Sequence, residues 1–464
     1  MVFRRILPLG FIVAAIVAAV AMVRAQGGAT LLEGARLIVG DNSAPIENSA
    51  ILVQGTQITA VGTKGQVQLP AGGTRVDLTG KTVIPALIDG HNHMGLSNLR
   101  DGTDRKENYT RENLLDQLQR YAYYGIAATL SMGTEADTSV SYKLRDDFAN
   151  GMDIPNAARF YTVGKGIAAT PMAGSPTPSR LGIPYGAATI EEGLKDVADL
   201  KSHDVHFIKV WVDDRVATVP KVKPEVYRAI IDQAHKNGQE VLAHLGQTTA
   251  LADAKDLLQA GVDGFVHVVR DRDVDDEYIQ IVKQHPKTWT GPNMPGPPPD
   301  LNDIEALNET LPFAQGERNK KALEARIAAG NNKPSELSLL HCRNFRKIHD
   351  AGMVLGLGTD GTGDGFGAHA QIRTYTGCGM TPKEALIAAT STNARILHMD
   401  QLGTIAKGKE ASILVLNANP LDDITNTRRI DRFYLRGKLV DRKGLQSKWQ
   451  NAPAPPAPAG RGQQ

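Results

Sequence analysis

The hydrophobic rhythm of the chain changes twice. From Ala29 to about Thr82, short apolar runs alternate with turn residues. Ala35-Arg-Leu-Ile-Val39, Ser49-Ala-Ile-Leu-Val53 and Gln57-Ile-Thr-Ala-Val61 are bounded by Gly40-Asp-Asn, Gly55 and Gly62. Such runs read as strands joined by tight turns. The same texture returns in Ser412-Ile-Leu-Val-Leu416 and Arg432-Phe-Tyr-Leu-Arg436-Gly437. Two distant β segments around a differently patterned middle predict one small β domain built from both chain ends.

The middle alternates apolar runs with stretches of helical period, which is the signature of parallel βα units. Predicted strands run over Thr82 to Ile88, Ala127 to Met132, Arg159 to Val163, Phe207 to Val212, Glu240 to His244, Gly264 to Val268, Thr288 to Thr290 and Val354 to Gly358. Helices fall between them. Thr189-Ile-Glu-Glu192 has the form of a capping box, with Leu194, Val197 and Leu200 following at helical spacing. Pro224 opens a helix that Gly238 closes, and Gly261 ends one that begins near Thr248. Eight strands with interleaved helices predict an α/β fold, a (β/α)8 TIM barrel, with a small β-sandwich formed by both chain ends. The predicted division is 1–25 signal peptide, 26–82 first part of the sandwich, 83–402 barrel, 403–447 second part of the sandwich and 448–464 a disordered Pro/Ala-rich tail. The longest insertion, from Gly291 to about Asn332, has the position of a lid over a barrel site.

Composition adds little to the fold and more to the setting. The 464 residues carry a formal net charge of +2 and few aromatics. Nothing suggests a nucleic-acid surface. Arg4 and Arg5 precede an apolar stretch from Ile6 to Val23, and Val23-Arg-Ala25 supplies the small residues of a cleavage site. Cleavage after Ala25 is expected, with a periplasmic or secreted mature protein and no stable membrane anchor. An uncleaved anchor is the alternative. Only Cys342 and Cys378 are present. Export permits a disulfide, but the sequence does not show whether the two approach. A homo-oligomer is compatible with the sequence and not required by it.

Candidate chemistry sits where the apolar runs end. His91 and His93 close Val83-Ile-Pro-Ala-Leu-Ile-Asp-Gly-His-Asn-His93. On a strand, positions i and i+2 share a side, so both imidazoles reach one ion, and imidazole suits zinc and similar divalent metals. Lys209 lies in the fourth predicted strand, His244 and His267 end the fifth and sixth, and Asp360 follows the eighth. All six fall on the C-terminal side of the strands, where barrel enzymes gather catalytic groups. His203, His206, His235, His285, His341, His349 and His398 lack this placement and read as surface or packing residues. Lys165, in the loop after the third strand, and Arg270, just beyond His267, are candidate contacts for a substrate carboxylate.

With these motifs the chain resembles the amidohydrolase superfamily, and within it the imidazolonepropionase-like group of metal-dependent prolidases and dipeptidases. The resemblance rests on Ile88-Asp-Gly-His-Asn-His93, Phe207-Ile-Lys-Val210, Gly356-Leu-Gly-Thr-Asp360, Thr381-Pro-Lys-Glu-Ala-Leu-Ile-Ala-Ala-Thr390, Gly403-Thr-Ile-Ala-Lys-Gly-Lys409 and Asn419-Pro-Leu-Asp-Asp-Ile424. Ala86 stands where the group usually has Gly, and Ser412 where Asp is common. The resemblance implies two divalent ions, zinc being the first expectation. His91, His93 and Asp360 would hold one, and His244 and His267 the other. Lys209, carboxylated by carbon dioxide to N6-carboxylysine, would bridge them. A free ammonium beside two cations is repelled and has no lone pair to donate, whereas a carbamate is a bidentate anion. The implied activity is hydrolysis of an amide C–N bond in a small molecule, a dipeptide or an N-acyl amino acid, with Asp360 as the proton carrier. Lactone, ester or phosphotriester hydrolysis on the same donors is the alternative. An inactive barrel used in assembly ranks below both, because all six donors are present. Deamination ranks low because His244-Leu-Gly-Gln247 ends in an amide that cannot shuttle a proton.

Overall fold

A computed structural model describes residues 28–174, 177–295 and 298–453. The predicted signal segment and the end of the tail lie outside the described residues. Both chain ends contribute to two small sheets. One orders Gln57–Thr63, Ser49–Gln54, Ala29–Glu33 and Thr74–Asp77. The other orders Arg36–Leu37, Thr82–Pro85, Ile413–Leu416, Ile430–Leu435 and Lys438–Leu439. Leu32, Leu37, Ile51, Val83, Ile413 and Val415 from the two sheets share one apolar cluster, so the early and late β segments do meet.

Between them, parallel strands carry the site. We number them β1 (Leu87–Asn92), β2 (Ile126–Gly133), β3 (Arg159–Lys165), β4 (Phe207–Val212), β5 (Glu240–Leu245), β6 (Gly264–Phe265), β7 (Trp289–Thr290) and β8 (Val354–Leu355). β1 pairs with β2 and β2 with β3. Just past β3, Ile167–Ala168 continues onto β4, and β4 to β8 then pair in sequence order. The two ends of this order touch: Gly90 N–H donates to Leu357 O at 2.9 Å, and Thr359 N–H to His91 O at 2.9 Å. The Asn393 side chain bridges the same junction. Its amide donates to Ile88 O and Leu357 O, both at 2.8 Å, and its oxygen accepts from Leu357 N–H at 3.0 Å.

Helices form where the pattern predicted them. Thr189 and Glu192 make the reciprocal capping box that opens Ile190–Ser202. Pro224–Lys236 and Ala250–Gln259 end before Gly238 and Gly261, both at positive φ. Among the described residues, no helix is long and apolar enough to cross a membrane.

Three features differ from the sequence expectation, and a fourth answers a point the sequence left open. The run Thr82 to Ile88 is two strands, broken at Ala86. Thr82–Pro85 pairs with Ile413–Leu416 in the terminal sheet, and only Leu87–Asn92 is β1. Pro85 has no amide hydrogen to donate, so it suits the end of a strand, and the domain boundary moves past it. Among the described residues, the insertion after β7 meets the predicted donors at its start, where Asn293 contacts His267, and its helices do not reach them. Its helices Leu301–Asn308 and Phe313–Ala328 are held on the flank, where Tyr124 Oη donates to Ala306 O at 2.6 Å and Asp303 pairs with Arg373 and Arg428. The tail does not begin at Lys448: Arg442–Gln450 is a helix whose Trp449 is buried and donates to Asp116 Oδ1 at 3.0 Å. The two cysteines, left open by the sequence, form a disulfide with Cα atoms 4.9 Å apart.

Candidate metal centre and its cavity

Every residue of β1 is buried, and its end is braced from below. Asp89 accepts from His91 N–H (3.2 Å), Thr359 N–H (3.1 Å), Thr359 Oγ1 (2.7 Å) and Tyr121 Oη (2.9 Å). Burial pushes its carboxyl up to about 6 despite these bonds. This network fixes the start of His91-Asn-His93 against the residues after β8. The alternation of β1 then directs both imidazoles to one side.

Three predicted donors converge. His93 Nε2 lies 3.1 Å and His91 Nε2 3.6 Å from Asp360 Oδ1, and ligand atoms of all three residues fall within 4.8 Å of one another. His93 Nδ1 is fixed by Thr134 Oγ1 at 3.1 Å. Asp360 has φ 51°, a left-handed conformation that Asp tolerates better than most residues, and its N–H donates to His91 O at 2.7 Å. Burial works to raise the Asp360 carboxyl. The neighbouring His91 and the hydrogen bond with His93 outweigh it and hold the group well below the ordinary carboxylate range. Burial drives His91 well below the usual imidazole range and His93 down to about 4, with Arg180 adding to the latter.

The other two histidines form an adjoining pair. His244 Nδ1 faces His267 Nε2 at 2.9 Å, and the His267 ring centroid lies 5.6 Å from that of His91. The outward nitrogens are engaged. His244 Nε2 lies 3.1 Å from Asp213 Oδ2 and 2.9 Å from an Arg270 nitrogen, and His267 Nδ1 meets Asn293 Oδ1. Burial holds both imidazoles well below their usual range. Lys209 completes the group from β4. It is 0 % exposed, its Nζ has no hydrogen-bond partner, and it sits 5.5 Å from the Trp211 ring centre. Burial pushes its ammonium down to about 7, with Asp360 opposing.

The donor set suits a divalent metal. Both ring nitrogens of His91 and the Lys209 amine are buried without partners, and such orphaned groups are costly unless something binds them. Neutral imidazoles and a carboxylate are the ligands that zinc and its neighbours take.

A cavity of about 230 Å³ opens beside these groups. His93, Trp211, His244 and Asp360 line it together with Arg180, Arg215, Arg270 and Gln247. Arg270 is aimed by Leu245 O (2.6 Å) and Gly246 O (3.2 Å). Arg215 is tied to Asp213 (2.8 Å) and to Gly174 O (2.6 Å). The Arg180 guanidinium makes no ion pair among the described residues and feels Asp360 and Asp104 only at longer range. Of the two candidate substrate contacts, Arg270 lines the cavity. Lys165 does not; its ammonium lies 5.6 Å from the Tyr185 ring centre. Sequence reading missed Arg180, Arg215, Asp213 and Asn293. The position of Asp213 and Arg215 directly after β4 was a usable signal; nothing in the sequence around Arg180 was.

These strands and donors have the arrangement of an amidohydrolase-type hydrolase with a candidate metal site. The amidohydrolase family model matches residues 82–440, and the chain belongs to that family. Its relatives act on varied C–N bonds. The chain is 21 % identical over 407 residues to a 5-methylthioadenosine/S-adenosylhomocysteine deaminase of Carboxydothermus hydrogenoformans, covering 81 % of both chains. It is 23 % identical over 243 residues to an enamidase of Eubacterium barkeri, covering 50 % of this chain and 55 % of that one. Among solved structures it resembles a putative prolidase from Bifidobacterium longum (TM-score 0.66, 24 % identity, 91 % of this chain and 98 % of that one). It also resembles phenylurea hydrolase B (TM-score 0.71, 19 % identity, 92 % and 100 %). These neighbours imply a TIM-barrel-like α/β fold.

Proposed function

We propose that the protein is an exported metal-dependent amidohydrolase that cleaves the amide bond of a small carboxylate-bearing substrate, a dipeptide or an N-acyl amino acid. The observation that carries this reading is the cavity in which Asp360 and the histidines face three guanidiniums. The barrel is read as closed, because hydrogen bonds and Asn393 join β1 to the residues after β8. The two terminal sheets are read as a sandwich around their common apolar cluster.

His91, His93 and Asp360 would hold one divalent ion of the zinc type, and His244 and His267 a second. Lys209, as the carbamate, would join the two. Its burial and lowered basicity favour the free amine that reacts with carbon dioxide. Ions bound there supply an activated water and polarise the substrate carbonyl. The chain's own residues do the rest. Asp360 Oδ1 lies beside both β1 imidazoles, where it can accept the proton of the attacking water and return it to the leaving amine. Trp211 and His93, stacked with ring centroids 6.5 Å apart, wall one side of the site. Arg180, which makes no ion pair among the described residues, would anchor the substrate carboxylate, with Arg270 on the same cavity.

Gln247 lines the cavity at the position where a deaminase needs an acid, so hydrolysis is favoured over deamination. Lactones and neutral phosphotriesters carry no group for Arg180 to hold, which ranks them second. The test is a hydrolysis screen of purified protein against dipeptides, N-acyl amino acids, their carboxyl-amidated forms, lactones and neutral phosphotriesters. Free acids should be preferred. Arg180→Met should lower kcat/KM for the acid about 10- to 100-fold, the worth of one charged hydrogen bond, mainly through KM. Equal use of acid and amidated substrates would overturn the reading. Export predicts that protein recovered from a periplasmic or secreted fraction begins at Gln26.

A further inference from the structure

A second group of ligand-type side chains lies far from the cavity. His206 precedes β4, Glu240 opens β5, and His398 follows the short helix Asn393–Ile396. Glu240 and His244 are separated by roughly 13 Å of strand, so this group lies at the other end of the strands from the candidate metal centre. We propose that His206, Glu240 and His398 form a binding site for a divalent transition-metal ion of the zinc type.

The geometry carries the proposal. Both imidazoles aim Nε2 at the same oxygen: His206 Nε2 is 3.4 Å and His398 Nε2 2.7 Å from Glu240 Oε1. All three donors lie within 4.8 Å of one another. The 3.4 Å separation is longer than an ordinary N–H···O bond. It matches the roughly 3.3 Å between two ligands of a tetrahedral ion bound at 2.0–2.1 Å. The rings meet edge to face, with centroids 4.6 Å apart and planes at 81°, so they do not occupy the space between the donors. Phe207 backs both rings, at 4.7 Å from His206 and 5.8 Å from His398. The β4–β5 pairing fixes two of the ligands, since Glu240 N–H donates to His206 O at 2.9 Å. The side chains are 45 %, 26 % and 54 % exposed, which leaves room for an ion to enter and for water to complete its coordination. Two imidazoles with one carboxylate suit zinc, copper or nickel rather than magnesium or calcium.

Such an ion would have a structural effect. It would fasten the segment after Ile396 to the starts of β4 and β5. Asn393, at the start of the helix just before that segment, spans the junction between β1 and the residues after β8. The ion would therefore stabilise that junction without touching the reacting atoms.

The test uses the whole protein, stripped with chelator and titrated with Zn2+ in equilibrium dialysis. Wild type is compared with His206→Gln and with His398→Asn, which keeps a residue tolerant of the left-handed φ of 54°. Each variant should bind one ion fewer per chain, or bind that ion at least about tenfold more weakly. Turnover of the reloaded enzyme should be unchanged, and the rise in Tm on adding Zn2+ should shrink. The same number of ions at the same affinity in wild type and in either folded variant would overturn the proposal and leave a hydrogen-bonded trio. Either variant suffices, so failure of one to fold does not remove the test.

Discussion

On the β1–β8 side of the donor cluster, His91 leaves both ring nitrogens without a partner, and His93 and Asp360 stand 3.1 Å apart. On the β5–β6 side, His244 and His267 bond to each other at 2.9 Å, and Asp213, Arg270 and Asn293 take up their outward nitrogens. The first side offers buried nitrogens that no protein group hydrogen-bonds, and leaving such a group unbonded costs about 1–3 kcal/mol. On the second, His244 Nδ1 and His267 Nε2 face each other while protein groups engage both outward nitrogens. The β1–β8 side should therefore hold its ion more tightly, and a chelator should empty the β5–β6 side first.

Lys209 stands between the two sides, and its removal should have the largest effect. Lys209→Ala is expected to lower turnover by on the order of 10³-fold or more. Metal content should fall toward one ion per chain, retained on the β1–β8 side. A variant with two ions and full turnover would remove the bridge and leave two independent sides. Next is Asp360→Asn, which keeps the shape but cannot accept a proton. kcat should fall by at least about 10²-fold with metal content largely preserved, because five other donors remain. Near-normal turnover at full occupancy would assign the proton to another group. The smallest effect is expected from Asp213→Asn. It loosens the partner of His244 Nε2 and should weaken only the second ion, by about 10- to 100-fold. Equal loss of both ions in dialysis would show that the two sides do not act separately.

Much of this centre was legible before any coordinates. His91, His93, His244, His267 and Asp360 each end or follow an apolar run, and the ends of parallel strands are where a strand fold concentrates its ligands. Lys209 was visible because a lysine inside a buried run is rare. What the sequence hid depends on pairing across long separations. The apolar run from Thr82 to Ile88 is continuous, so nothing local says that Pro85 leaves one sheet and Leu87 enters another. The insertion after β7 has the length of a lid, but Tyr124, Arg373 and Arg428 decide where it docks, and none of them is near it in sequence. Arg180 lies in a short turn without periodicity. Trp449 was hidden by the proline-rich residues that follow it, and its partner Asp116 lies far from it in sequence.

The Cys342–Cys378 bond joins positions 36 apart in sequence. β8 and Asp360 lie inside the covalent ring it closes. Before the fold forms, that ring already confines the segment that must deliver the carboxylate to His91 and His93. On a chain-entropy model a loop of this size is worth about 4 kcal/mol. The oxidation state of the compartment thus bears on Asp360: a thiol-reducing medium relaxes the tether behind it while leaving His91, His93, Lys209, His244 and His267 chemically unchanged.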